Sequence, residues 1–221
     1  MNSLASTLRW FTDLIWPARC VVCGALGTEL CATCLATLRP LNEKSRTHGS
    51  YIDSLIVSAH MHGTIETIIH AFKYRGIRAL AEPLAGWSAG VIGLRRDTAA
   101  MFGANPLFVP VPLHASRLRE RGFNQAELLA QRLASIAAMP VDASVLVRTR
   151  RTGSQVETHS RWERIDNMRG AFVCAKPDAV RDRDIILVDD VCTTGATLDD
   201  CARALKESGA RCVSAVVLAR G

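Results

Sequence analysis

No stretch of the 221-residue sequence approaches the roughly 20 apolar residues that a bilayer-spanning helix needs, so no membrane span is expected. The first residues, MNSLASTLRWFTDLIWPARC, lack a basic start followed by an apolar run and a small-residue cleavage site. No export signal is read there, and the expected location is the cytoplasm. Aromatic residues are only 5% of the chain, which leaves few platforms for stacking nucleic-acid bases. There is no internal repeat, no low-complexity tract and no Gly-Lys-Ser/Thr loop of the Walker kind.

What is present suits a globular α/β protein. The chain is 48% hydrophobic and 22% charged, enough apolar material for a sizeable core. Its net charge of +6 favours anionic partners, either phosphorylated small molecules or nucleic acid. Leu4, Leu8, Phe11 and Ile15 recur at helical spacing and predict an amphipathic helix over residues 1–16 that packs on the body of the protein. A membrane-surface helix is the alternative, though the strongly basic face it requires is missing.

Residues 17–41 form a compact unit opening at Pro17, and the polar stretch from Asn42 to Ser50 reads as a linker to a larger domain over 51–221. In that domain apolar runs alternate with helical patterns. Strands are expected at Ser54 to Ala59, Pro106 to Val111, Ile185 to Val188 and Cys212 to Leu218. Helices are expected around Ile65–Phe72, over 78–95, through Ala126–Ile136 and through Leu198–Leu205. The alternation implies a parallel sheet with helices on both faces, whose ligands sit at the carboxyl ends of the strands.

Four of the eight cysteines stand in two pairs, Cys20-x2-Cys23 and Cys31-x2-Cys34, seven residues apart. Two such knuckles make a closed tetrahedral thiolate site, the pattern of structural zinc. Gly24 and Gly27 supply the turns, and no ligand position is left open for catalysis. An iron–sulfur cluster and four ordinary buried cysteines are the competing readings.

The most informative run is IILVDDVCTTGATL, residues 185–198. A buried strand delivers Asp189 and Asp190 to its carboxyl end, and a short loop leads into a helix. Backbone N–H groups at a helix N-terminus attract a phosphate; Gly195 lets the ligand approach, and Thr193, Thr194 and Thr197 add hydroxyl donors around Ala196. Adjacent carboxylates suit ribose hydroxyls or a magnesium shell. The competing explanation is a helix cap beside a solvated acidic turn. A second loop follows Val111 with Pro112, Leu113 and His114, then Arg117, Arg119 and Arg121; it reads as an anion loop or as a solvated arginine-rich helix start. Residues 148–170 carry six arginines with little apolar periodicity and read as a long functional loop. Lys73, Tyr74 and Arg75 end a helix, where cations can meet phosphate or the helix dipole.

The 185–198 run resembles the binding signature of type I phosphoribosyltransferases. The ordered set Pro17-Ala18-Arg19-Cys20, Phe72-Lys73-Tyr74, Val109-Pro110-Val111-Pro112-Leu113-His114, Arg121-Gly122-Phe123-Asn124-Gln125 and Thr152-x2-Gln155 with Arg164, Asn167 and Phe172 is similar to the ComF family, also called the ComF/GntX group, over essentially the full length. The resemblance implies a phosphoribosyltransferase-like domain behind a small zinc-ribbon-like module. It implies phosphoribosyl pyrophosphate bound with magnesium, with Asp189 and Asp190 at the ribose hydroxyls and Thr193, Thr194, Gly195, Ala196 and Thr197 around the 5′-phosphate. Pro112, His114, Arg117 and Arg121 would belong to the pyrophosphate loop, Lys73 would add a contact, and residues 148–170 would be the closing loop. It further implies a role in natural competence with single-stranded DNA and recombination proteins as partners. Three classes stay open: a phosphoribosyltransferase with an unidentified acceptor, a ligand-gated binding module without turnover, and a DNA-handling adaptor.

Overall fold

A computed structural model describes residues 17–41, 43–45, 51–94, 102–103, 105–149 and 170–221. The expected helix over 1–16 and most of the arginine-rich stretch, residues 150–169, lie outside the described residues.

The centre is a five-stranded sheet. In chain order its strands are β1 (Glu43–Ser45), β2 (Ser54–His60), β3 (Pro106–Pro110), β6 (Asp184–Cys192) and β7 (Cys212–Arg220). Their spatial order is β1-β2-β7-β6-β3, with β1 antiparallel to β2 and every other pair parallel. The parallel strands are near-continuous apolar runs, as burial on both faces demands. The stretch read as linker thus contributes an edge strand, Glu43–Ser45.

Helices cover both faces. One face carries α2 (Thr64–Tyr74), α3 (Ala81–Ile92, entered through a 3₁₀ turn at Arg78–Leu80) and α5 (Gln125–Ala137); its core holds Ile56, Phe72, Leu84, Phe108, Leu129, Ile186 and Val188. The other carries α7 (Ala196–Glu207), and its core holds Leu107, Ile185, Leu187, Leu198, Cys201 and Val217. Between the strands, α4 (Ala115–Arg121) follows β3 and α6 (Pro177–Val180) precedes β6. A separate antiparallel pair, β4 (Leu146–Arg148) and β5 (Phe172–Cys174), packs on α7. The sequence did not announce this pair, since three-residue strands carry too little pattern to detect.

The cysteine module, with its short helix α1 (Ala32–Ala36), is not a free appendage. Cys20, Leu30, Cys34 and Leu38 are buried in the same core as α2 and α3. Among the described residues, no helix is long and apolar enough to cross a membrane.

Candidate functional site

Strand β6 runs four residues past the apolar stretch Ile185–Val188, so Asp189 and Asp190 stay in the ladder and strand alternation sends them to opposite faces. Asp190 is 7% exposed and turns to the α2 face, where Lys73 Nζ lies 2.8 Å from its Oδ1. Asp189 is half-buried on the α7 face. There its charge acts on Cys201 of α7 and on Arg148 at the end of β4. Burial, and after it the neighbouring Asp190 charge, push the Asp189 carboxyl up to about 7. One relief is the Asp190 backbone N–H, which donates to Asp189 Oδ1 at 2.8 Å.

Beyond β6 the chain turns through Thr193, Thr194 and Gly195 into α7. Gly195 caps the helix with φ +83, the left-handed region in which a side chain is strained. The Ala196 N–H donates to Thr194 Oγ1 at 3.4 Å, ordering the turn. Residues 189 and 191–198 line a small recess of about 40 Å³ that opens at the N-terminus of α7. Thr193, Thr194, Gly195, Ala196 and Thr197 therefore surround one concavity beside Asp189, as an anion cradle requires. A larger cleft of about 620 Å³ lies elsewhere, in the seam between the module (Thr37–Leu41) and the β2–α2 turn (His60, His62–Ile65).

The loop after β3 sits next to β6, since Val111 N–H donates to Val188 O at 2.9 Å. His114 is the N-cap of α4: its Nδ1 accepts from Ser116 N–H at 3.2 Å and pairs with Ser116 Oγ at 2.8 Å. Pro112 and Arg117 are partly exposed at this edge, and the Arg117 charge reaches Arg148. Arg121 turns toward α2 instead, its guanidinium 5.2 Å from the Tyr74 ring centre and its Nη1 donating to Gln125 Oε1 at 3.1 Å. Asn124 caps α5 by accepting from Ala126 N–H at 3.1 Å, and its amide also donates to Val111 O at 3.0 Å.

One further residue was read in the sequence only as the start of a functional loop, and a second was not singled out there. Arg148, assigned there to the start of a loop, stands on β4 with its guanidinium 5.3 Å from the Phe172 ring centre. Asp200, one turn into α7 and 5% exposed, accepts from three consecutive backbone amides: Gly170 (2.8 Å), Ala171 (2.8 Å) and Phe172 (3.0 Å). Arg203 completes the cluster, donating to Asp200 Oδ1 at 2.8 Å and to Phe172 O at 3.3 Å. A carboxylate among Leu198, Cys201, Ala202 and Leu205 on a buried helix face was the one available signal.

In the module, the thiol sulfurs of Cys20, Cys23, Cys31 and Cys34 all lie within 4.8 Å of one another. Cys23 Sγ and Cys31 Sγ are 3.7 Å apart, close to the edge of a tetrahedron with bonds of about 2.3 Å. The first knuckle is closed by Gly24 N–H donating to Cys20 O and Cys20 N–H to Ala25 O, and Cys31 caps α1. Burial disfavours the Cys20 thiolate, but the N–H groups of Cys23, Cys31 and Val22 outweigh it and bring the thiol down to about 6. Burial and the adjacent thiols push Cys34 up to about 12. Four thiols this close ionise together only around a cation, so the cluster can hold a zinc ion.

The phosphoribosyl transferase domain family matches residues 119–221. The DNA utilization protein YhgH of Escherichia coli O157:H7 is 30% identical over 91% of this chain and 83% of its own. Competence protein F of Haemophilus influenzae is 29% identical over 90% of this chain and 84% of its own. Competence protein ComFC of Bacillus subtilis is 37% identical over 52% of this chain and 44% of its own.

Proposed function

As the chain belongs to the ComF family of phosphoribosyltransferase-like proteins, we propose that it binds phosphoribosyl pyrophosphate with magnesium at the carboxyl ends of β6 and β3 and serves natural competence and DNA utilization. The observation that carries this reading is the recess lined by residues 189 and 191–198, where a carboxylate stands beside a ring of N–H and hydroxyl donors. The relatives named for competence and DNA utilization support the physiological part.

The backbone and hydroxyls of Thr193 to Thr197 hold the 5′-phosphate, helped by the positive end of α7. Asp189 and Asp190 hold the ribose hydroxyls. Lys73 fixes Asp190 through its 2.8 Å contact. Pro112, His114 and Arg117 shape the pyrophosphate side, where the Arg117 guanidinium offsets its charge, while Arg121 is held against Tyr74 and Gln125. Magnesium fits here, because a carboxyl held up to about 7 by burial and a like charge ionises readily only beside a cation. When bound, the ion would neutralise part of the pyrophosphate charge.

The reaction this arrangement supports is transfer to a nitrogen nucleophile. A bond forms from that nitrogen to the anomeric carbon, the bond to the pyrophosphate oxygen breaks, pyrophosphate leaves with the electron pair, and the nitrogen sheds a proton. Pyrophosphate release across a panel of nucleobases and amines separates turnover from binding alone. Direct calorimetry tests the site itself: binding is magnesium-dependent in the wild type, and Asp189→Asn, Asp190→Asn and Thr194→Ala each cost about 1–3 kcal/mol. Unchanged affinity in the Asp double variant places the ligand elsewhere.

A further inference from the structure

The cleft between the cysteine module and the β2–α2 turn stands on the same edge of the sheet as the cradle. His60 ends β2 and pairs in register with Arg220 of β7, which pairs in turn with Cys192 at the end of β6. Met61 N–H donates to Arg220 O at 2.7 Å, and Gly221 N–H donates to Cys192 O at 3.0 Å. A Cβ placed on Gly221 would stand 3.7 Å from both Met61 Cβ and Thr193 Cγ2. One residue therefore separates the turn that lines the cleft from the loop that lines the recess. From β6 to β2 the edge covers two strand spacings, about 10 Å.

The cleft, about 620 Å³, is lined by one permanent cation and a set of donors. Arg39 and Thr37 come from the module; His60, His62 and Thr64 come from the turn. Leu38 and Ile65, both buried, supply apolar wall. Thr37 Oγ1 donates to Cys34 O at 2.7 Å, which ties one wall to the cysteine cluster, and Thr64 Oγ1 stands 3.5 Å from it across the seam. Gly63 begins α2 at φ +66 and no described side chain caps that helix, so its positive end opens on the cleft. Neither Asp nor Glu is among the described residues that line it. Such a lining suits a ligand with an anionic group on an apolar body.

On the reading that phosphoribosyl pyrophosphate occupies the cradle with its pyrophosphate toward β3, we infer that this cleft is the acceptor subsite. The acceptor is a nitrogen nucleophile that carries a carboxylate or phosphate, and Arg39 holds that group. Substitution at the anomeric carbon needs the nucleophile in line with the leaving group. With pyrophosphate on the β3 side of β6, the nitrogen enters from the other side, over β7, and the rest of the acceptor extends toward β2 and the cleft. The nitrogen bonds to the anomeric carbon, the pyrophosphate oxygen leaves with the electron pair, and the proton on nitrogen passes to solvent. A span of about 10 Å fits a ring with the nitrogen at one end and the anion at the other.

Probes matched except for the anionic group provide the test: 4-aminobenzoate against 4-aminobenzamide, and 4-aminophenyl phosphate against 4-aminophenol. Arg39 is exposed, and Arg39→Ala and Arg39→Glu are each checked for a cooperative thermal melt. Calorimetry first measures phosphoribosyl pyrophosphate with magnesium in the wild type and both variants; each probe is then titrated into the saturated protein, and pyrophosphate release is followed. In the wild type, the anionic member of at least one pair should bind about tenfold more tightly than its neutral partner. That preference should vanish in Arg39→Ala and reverse in Arg39→Glu, with phosphoribosyl pyrophosphate affinity unchanged. Which pair responds separates a carboxylate acceptor from a phosphate one. A wild type that binds both members of each pair alike, or none, overturns the inference and leaves the cradle reading intact, as does a preference that survives Arg39→Ala. Weakened phosphoribosyl pyrophosphate binding in the Arg39 variants also overturns it, by placing Arg39 at the cradle. A wild type that does not bind phosphoribosyl pyrophosphate overturns the cradle reading, and the acceptor subsite with it.

Discussion

At the scale of single residues, the acids of this protein divide by what surrounds them. Asp142 accepts from Lys176 Nζ at 2.8 Å and from the Ser144 amide and hydroxyl; these donors outweigh burial and bring its carboxyl down to about 2. Its contribution to stability is complete above the ordinary aspartate pKa and is lost as pH falls toward 2. Asp189 has the opposite sign. With its carboxyl up at about 7, the folded protein binds more protons than the unfolded chain between the ordinary value and 7, so stability falls as pH rises through that window. Asp189→Asn should therefore make the ligand-free protein more stable at pH 8 by about 1–2 kcal/mol, solvent at this half-buried carboxylate limiting the gain. At pH 5 the difference should shrink. Denaturant unfolding at the two pH values measures it; a variant less stable at both would show that the carboxylate is structural. Gly195 offers a second test. A Cβ there meets nothing nearer than Cys192 Sγ at 4.0 Å, so Gly195→Ala costs only backbone strain, about 1–2 kcal/mol. That strain falls on the turn holding the phosphate, and calorimetry should find affinity reduced more than global stability.

At the scale of elements, what was legible followed apolar pattern. Ile65, Ile68, Ile69 and Phe72 predicted a helix and lie buried in α2, and Ala126, Leu129 and Leu133 do the same for α5. The strand predicted at Ile185 to Val188 was right but short: β6 runs from Asp184 to Cys192, because the sheet continues to hydrogen-bond under polar side chains. The acidic pair was visible at once as two neighbours. That they work on opposite faces, one against Lys73 and one toward α7, follows only when the strand is known to extend beneath them. Helix α4 buries no residue and so gave no periodicity, which is why its arginines could be read either as an anion loop or as a solvated helix start. The β4–β5 pair was hidden for a different reason. Its pairing joins Leu146 to Cys174 and Arg148 to Phe172, partners more than 20 residues apart in sequence, and no local pattern specifies such a register.

On the scale of the whole molecule, the cysteine module and the larger domain share one core, with Cys20, Leu30, Cys34 and Leu38 packed among the residues of α2 and α3. Zinc removal should therefore reach past the module. One zinc per chain is expected by metal analysis, and chelation or Cys20→Ser should lower the melting temperature of the entire protein, because site formation and folding are coupled. Purified protein without zinc, its four thiols freely reactive, would remove the metal from this account. The order of strands has a consequence of another kind. β7 lies between β2 and β6 and joins the two halves of the sheet, yet it is the last strand in the chain, and Ser54 waits for Ser214 as its partner. During synthesis, β2 and β6 each offer an unpaired apolar edge until residues 212–220 have left the ribosome. Until then neither half can close, and Asp189 of β6 lacks its strand neighbour Val217.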